Sequence, residues 1–210
     1  MKIQAFNPFL PSYEYIPDAE PYVFGSRVYV YGSHDRFDGE DFCMNDYVCW
    51  SAPIDDLGAW KKERVIYRSV QDPLNEDGTQ HLFAPDVQVG EDGRYYLFYC
   101  LHRSPTVSVA VCDEPAGEYQ FYGHIHYADG ILYGQKQGDV FNFDPGVLKD
   151  DDGRIYLYTG LSYLKDAPMR KYLAGMFQID GSYCVELDKD MLTLKSEPVL
   201  AVPGEVLAEG

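Results

Sequence analysis

Three segments of the chain repeat one order of residues: an acid beside a proline, a valine-containing run, a glycine turn, an arginine and an aromatic run. The first is Glu20-Pro21-Tyr22-Val23-Phe24-Gly25-Ser26-Arg27-Val28-Tyr29-Val30-Tyr31. The second is Pro85-Asp86-Val87-Gln88-Val89-Gly90-Glu91-Asp92-Gly93-Arg94-Tyr95-Tyr96-Leu97-Phe98-Tyr99. The third runs from Asp144-Pro145-Gly146-Val147 through Asp150-Asp151-Asp152-Gly153-Arg154 to Ile155-Tyr156-Leu157-Tyr158. β-Branched and aromatic residues on either side of a glycine turn read as a hairpin. Arg27 and Arg94 stand 67 residues apart, and Arg94 and Arg154 stand 60 apart. A degenerate period of that size, built of strands and turns, marks propeller blades rather than a helical solenoid.

Composition agrees. The 19 tyrosines, 11 phenylalanines and 19 glycines lean towards strands and tight turns, and no long stretch carries apolar residues at helical spacing. The expected fold class is all-β. A formal charge of −17 argues against nucleic acid or anionic lipid as a partner, since both need a positive face, and suits a neutral substrate. Five cysteines, at 43, 49, 100, 112 and 184, show no tight pairing spacing and suit free thiols. The segment Met1–Pro8 has no apolar core long enough for a signal peptide, and no run approaches a membrane span, so the cytoplasm is the expected location.

Further strands are expected at Tyr47–Ser51, Arg64–Tyr67, Thr106–Cys112, Tyr119–Tyr122, Ala174–Ile179, Tyr183–Leu187, Met191–Lys195 and Pro198–Val202. Residues 71–79, 128–142 and 161–172 read as loop. At about sixty residues per copy, the chain holds roughly three and a half blades, fewer than the four to eight that close a propeller. An unclosed fan exposes sheet edges, so the chain reads as the front part of a longer protein, with residues 1–210 forming the N-terminal part of a single propeller domain.

Two carboxylates stand out from the residues alone. Asp144, between Phe143 and Pro145 at a strand start, either satisfies backbone N–H groups or faces a ligand. Asp18 lies in a segment stiffened by Pro17 and Pro21.

The order Pro17-Asp18-Ala19-Glu20-Pro21 with Arg27–Asp35, then Phe83-Ala84-Pro85-Asp86, then Phe143-Asp144-Pro145-Gly146-Val147 resembles glycoside hydrolase family 43. That resemblance covers roughly residues 5–210. It implies a five-bladed propeller of the β-xylosidase and α-L-arabinofuranosidase type, of which this chain supplies the first three to four blades. By the same resemblance, Asp18 is the general base of an inverting hydrolysis, with Glu20 as the alternative register, and Asp144 tunes the proton donor. The general-acid glutamate lies beyond residue 210 on one register and is Glu209 on the other. His34, Asp35, Phe83, Asp86 and Phe143, at the ends of motif strands, are the expected contacts to a pentose-containing oligosaccharide. The contrasting reading is a non-catalytic carbohydrate-binding propeller. The missing C-terminal part of the propeller is the other expected partner.

No cofactor motif is present. Asp150-Asp151-Asp152-Gly153 lacks the ligand series and distal glutamate of a calcium loop and reads as a turn. His102, His124 and His126 are not spaced with cysteines or acids as zinc ligands, so no metal ligands are assigned, with a structural ion in the propeller hub left open.

Overall fold

A computed structural model describes residues 7–163 and 167–204. It contains three four-stranded antiparallel sheets, each wound up and down in chain order. The first blade is β1 (Glu20–Phe24), β2 (Arg27–Tyr31), β3 (Tyr47–Pro53) and β4 (Lys61–Tyr67). The second is β5 (Leu82–Val89), β6 (Tyr95–Leu101), β7 (Val107–Cys112) and β8 (Gln120–His124). The third is β9 (Gly146–Lys149), β10 (Ile155–Ser162), β11 (Asp180–Leu187) and β12 (Val199–Pro203). The repeated sequence forms the first hairpin of every blade.

The turns of the second and third hairpins share one construction. Gly90 N–H donates to Arg94 O at 2.9 Å, and Asp150 N–H donates to Arg154 O at 2.8 Å. Gly153 takes a φ of 84°, which a side chain rarely tolerates. Arg94 Nε and Arg154 Nε then return to Asp92 and Asp152 at 2.7 and 2.6 Å, so the acids of Asp150-Asp151-Asp152-Gly153 brace a turn.

The middle blade is buried on both faces because its strands alternate between two cores. From β6, Leu97, Tyr99 and Leu101 pack with Tyr31, Tyr47, Ile66 and Tyr67 of the first blade. Tyr96, Phe98 and Cys100 turn the other way, onto Val147, Ile155, Leu157 and Val185 of the third. A near-continuous apolar strand such as Tyr95–Leu101 is what a sheet covered on both sides requires. The inner strands β1, β5 and β9 adjoin one another along the hub, where the Tyr22 hydroxyl reaches Asp86 and Val147 N–H reaches Asp86 Oδ2 at 2.5 Å. The sheets fan about an axis.

Several boundaries differ from the sequence reading. The described residues form three blades, within the three to four expected. β10 runs on to Ser162, and Pro168–Leu173, expected as loop, is a short helix α1 with Pro168 in its first turn, where a missing N–H costs nothing. Residues 174–179 are not a strand: the N–H groups of Met176 and Phe177 fold back onto Leu173 O at 2.9 and 2.8 Å, and β11 begins only at Asp180. Met191–Lys195 forms isolated bridges, Leu187 to Leu194 and His126 to Thr193, rather than a strand. All five cysteines are free.

Candidate active site

Asp18 precedes β1 by two residues and Asp144 precedes β9 by two, so the fan brings both to the same end of the hub. Asp18 is held there by a close backbone approach. A Cβ on Gly32, just past β2, would stand 2.8 Å from Pro17 O and 3.1 Å from Ala19 Cα, so only glycine lets the Asp18 segment cross the strand end. Asp144 is fixed through its neighbour. Phe143 N–H donates to Thr159 Oγ1 at 2.9 Å, while Thr159 Oγ1 and Gly160 N–H both donate to Phe143 O at 3.0 Å.

The backbone is unusual at these positions. Among the described residues, five other than glycine have positive φ, and three of them, Asp18 (53°), Cys43 (55°) and Asp144 (47°), belong to this recess. Such conformations cost about 1–3 kcal/mol each and persist where the surroundings over-determine them, commonly at functional sites.

Electrostatics tie the same groups together. Loss of hydration, and then the negative charge of Asp18, push Asp144 up to about 6. Asp144 nevertheless keeps an exposed face, as does Asp18, so both carboxylates reach solvent. Cys43 is buried between these groups: burial pushes its thiol up to about 11, with Asp35, Asp18 and Asp144 adding to the effect and a Ser33 hydrogen bond opposing it. The fully buried Ser33 also places its hydroxyl 3.4 Å from Asp18 Oδ2. Ser33 lies within the Arg27–Asp35 motif but takes no expected role there, and Cys43 and Tyr47 stand outside the motifs.

Phe83 and Phe143 meet with ring centroids 5.6 Å apart, beside Asp144, and the buried Tyr47 hydroxyl donates to Phe83 O at 2.5 Å. They present a half-buried aromatic wall. His34 and Asp35 brace the loop between β2 and β3. His34 Nδ1 pairs with Asp46 O at 2.8 Å and its Nε2 lies 3.6 Å from Glu14. Asp35 Oδ1 accepts from Cys43 N–H at 2.7 Å.

Two acids fall elsewhere. Asp86 is buried, and its oxygens accept from the Tyr22 hydroxyl, Val87 N–H at 2.7 Å and Val147 N–H at 2.5 Å. The structure thus places it as a staple between three blades. The physical reason is register: a bulge between Phe83 and Asp86 sets this acid inside β5, whereas Asp18 and Asp144 sit ahead of their strands. Glu20 is β1's first residue, and burial and then the charge of Asp86 raise it, so its charged neighbour lies in that staple. Glu209 lies outside the described residues.

One further cluster lies nearby. Asp41, His81 and His102 each turn one ligand atom to within 4.8 Å of the others, a convergence that spacing along the chain did not reveal.

The coupling between the two aspartates gives a direct prediction. In an Asp18→Asn variant the Asp144 carboxyl should titrate lower than about 6 but stay above the usual aspartate range, because burial is the larger cause. Carboxyl-carbon NMR titration measures this, and an unchanged value would separate the two groups. Since the folded state raises Asp144, its contribution to stability is full below the ordinary aspartate range and is lost as pH rises through about 6.

A xylosidase/arabinosidase of Thermoclostridium stercorarium is 56% identical over 210 residues, covering 100% of this chain and 42% of that protein. A β-xylosidase of Xylanibacter ruminicola is 33% identical over 175 residues, covering 75% of this chain and 50% of the relative. The chain thus spans about half the length of the relatives it matches. Among solved structures, a GH43_1 enzyme from Xanthomonas citri complexed with xylose shares the fold with a TM-score of 0.67 at 24% identity, over 90% of this chain and 56% of that one. The three-bladed fan and the order of the repeated segments accord with one family, glycosyl hydrolases family 43, whose model matches residues 7–210, and the chain belongs to it.

Proposed function

We propose that this chain is the N-terminal part of an inverting glycosidase that cleaves pentose units from oligosaccharides, with Asp18 as general base. One observation carries the reading. Two aspartates 126 positions apart stand on left-handed backbone in one recess, close enough that the charge of Asp18 acts on Asp144. The names of the relatives, xylosidase/arabinosidase and β-xylosidase, support the pentose.

In the proposed reaction Asp18 takes a proton from water as its oxygen attacks the anomeric carbon. A glutamic acid, Glu209 or one beyond residue 210, protonates the departing glycosidic oxygen. The two act from opposite faces of the sugar, about 6.5–9.5 Å apart. At neutral pH Asp144, lifted only to about 6, is mostly ionised, and its charge favours the protonated form of a neighbouring acid. Phe83 and Phe143 offer an apolar wall to a sugar face. Asp18 is preferred to Glu20 because Asp144 responds to Asp18, while Glu20 responds to Asp86.

The test is a screen of the longer protein against aryl β-xylosides, α-L-arabinofuranosides and galactosides, with the first-formed anomer read by proton NMR. Pentosides should be cleaved fastest, releasing sugar of inverted configuration. Retention would overturn the mechanism, and binding without turnover would favour the carbohydrate-binding alternative.

A further inference from the structure

The second blade's inner hairpin ends in two histidines that face an acidic loop of the first blade. His81 precedes β5 and His102 follows β6, and His102 N–H donates to His81 O at 3.0 Å, one step beyond the Leu82–Leu101 pair. Partners in an antiparallel ladder project from one face, and the imidazole centroids lie 5.7 Å apart. A β-bulge decides this. From the turn outwards the pairs run from Val89–Tyr95 to Asp86–Phe98, but beyond the irregularity they become Phe83–Cys100 and Leu82–Leu101. In the unbroken register Leu82 would oppose His102, and His81 would project from the other face.

Asp41 comes from the loop between β2 and β3. Its Oδ2 lies 3.7 Å from His81 Nδ1 and 3.8 Å from His102 Nδ1, beyond hydrogen-bonding reach of either. His81 Nδ1 is itself buried and has no hydrogen-bond partner. A buried ring nitrogen aimed at a carboxylate it does not bond is costly, and a cation between the three would satisfy it.

We propose that Asp41, His81 and His102 bind a divalent transition metal of the zinc class. Imidazole nitrogens suit zinc, nickel or copper, whereas calcium and magnesium prefer shells of oxygen. Zinc bonds of about 2.0–2.2 Å at tetrahedral angles set ligand atoms about 3.3–3.5 Å apart. The two Asp41–histidine separations exceed this by only a few tenths of an ångström, the three ligand atoms lie within 4.8 Å of one another, and Asp41 and His102, with side chains 42% and 36% exposed, have room to close. Three protein ligands leave a fourth position for water. Asp38 and Glu40, in the same loop of a chain carrying a net −17, add a field that draws cations.

The ion would clamp the first blade's loop to the second blade. That loop carries Cys43, and the histidine pair shares its strand face with Phe83, whose ring centroid is 5.4 Å from that of His102. The metal would therefore border the recess holding Asp18 and Asp144 and fix one of its walls. The inference concerns binding alone and stands or falls separately from the glycosidase reading.

The test is calorimetric titration of the full chain, freed of metal, with zinc chloride, together with absorption spectra of its cobalt(II) form. One ion per chain should bind, and Asp41→Asn and His102→Gln should each weaken it at least ten-fold while the far-ultraviolet dichroism stays unchanged. His81→Gln should do the same. If that half-buried substitution unfolds the chain, the two more exposed variants still decide the matter. Zinc that fails to bind at one per chain, variants that leave the affinity within two-fold, or calcium that displaces zinc on equal terms would each overturn the proposal.

Discussion

Asp18→Asn in the longer protein is expected to lower kcat on a cleaved aryl pentoside by about 10²–10⁴-fold, the usual contribution of a positioned acid or base. Asparagine keeps the size and the hydrogen-bonding reach to Ser33 but cannot accept a proton from water. KM should change little, because the base acts on water and not on the sugar. Glu20→Gln serves as the control: its charge couples to Asp86, away from Asp144, so its effect should stay within a few-fold. Reversed magnitudes for the two variants would move the base to Glu20, and near-normal turnover of Asp18→Asn would remove Asp18 from the chemistry.

Asp86→Ala should produce the largest loss of stability. Its carboxylate accepts from Tyr22 of the first blade, from Val87 of its own and from Val147 of the third, and it is almost entirely buried. Alanine leaves two buried backbone N–H groups and a hydroxyl without an acceptor, at about 1–3 kcal/mol for each unsatisfied group. A total of about 3–5 kcal/mol follows, allowing for relaxation and water entry. Asp86→Asn should fall between, since an amide accepts on one side only. Urea denaturation measures both, and a loss under about 1 kcal/mol for the alanine variant would show that the three blades are not joined here. Burial is also the leading cause of the raised Asp86 carboxyl: desolvation outweighs the hydrogen bonds that favour its charge.

The two experiments separate roles that look alike in sequence. Asp86 and Asp144 both stand beside a proline ahead of a valine, a glycine turn and an arginine. One is a buried staple and the other a recess carboxylate. The bulge between Phe83 and Asp86 is the difference, and Pro85, with no N–H for the ladder, fits a bulge or an edge strand alike, so the sequence does not choose between them. The same bulge turns His81 and His102 to one face, which explains why their separation along the chain gave no hint of a ligand set.

Sequence alone determined the repeat, the hairpins and the two acids worth watching. Strand periodicity, glycine turns and proline-stiffened starts act over a few residues, so they survive in a one-dimensional reading. It could not decide which carboxylates share a recess, that residues 174–179 follow a helix instead of forming a strand, or that Cys43, Ser33 and Tyr47 complete the site. Those outcomes depend on how the three sheets pack about the hub, where a one-residue bulge or a missing Cβ at Gly32 redirects side chains drawn from distant parts of the chain. Position in the fan, and not residue type, makes Asp18 and Asp144 partners and leaves Asp86 holding the blades together.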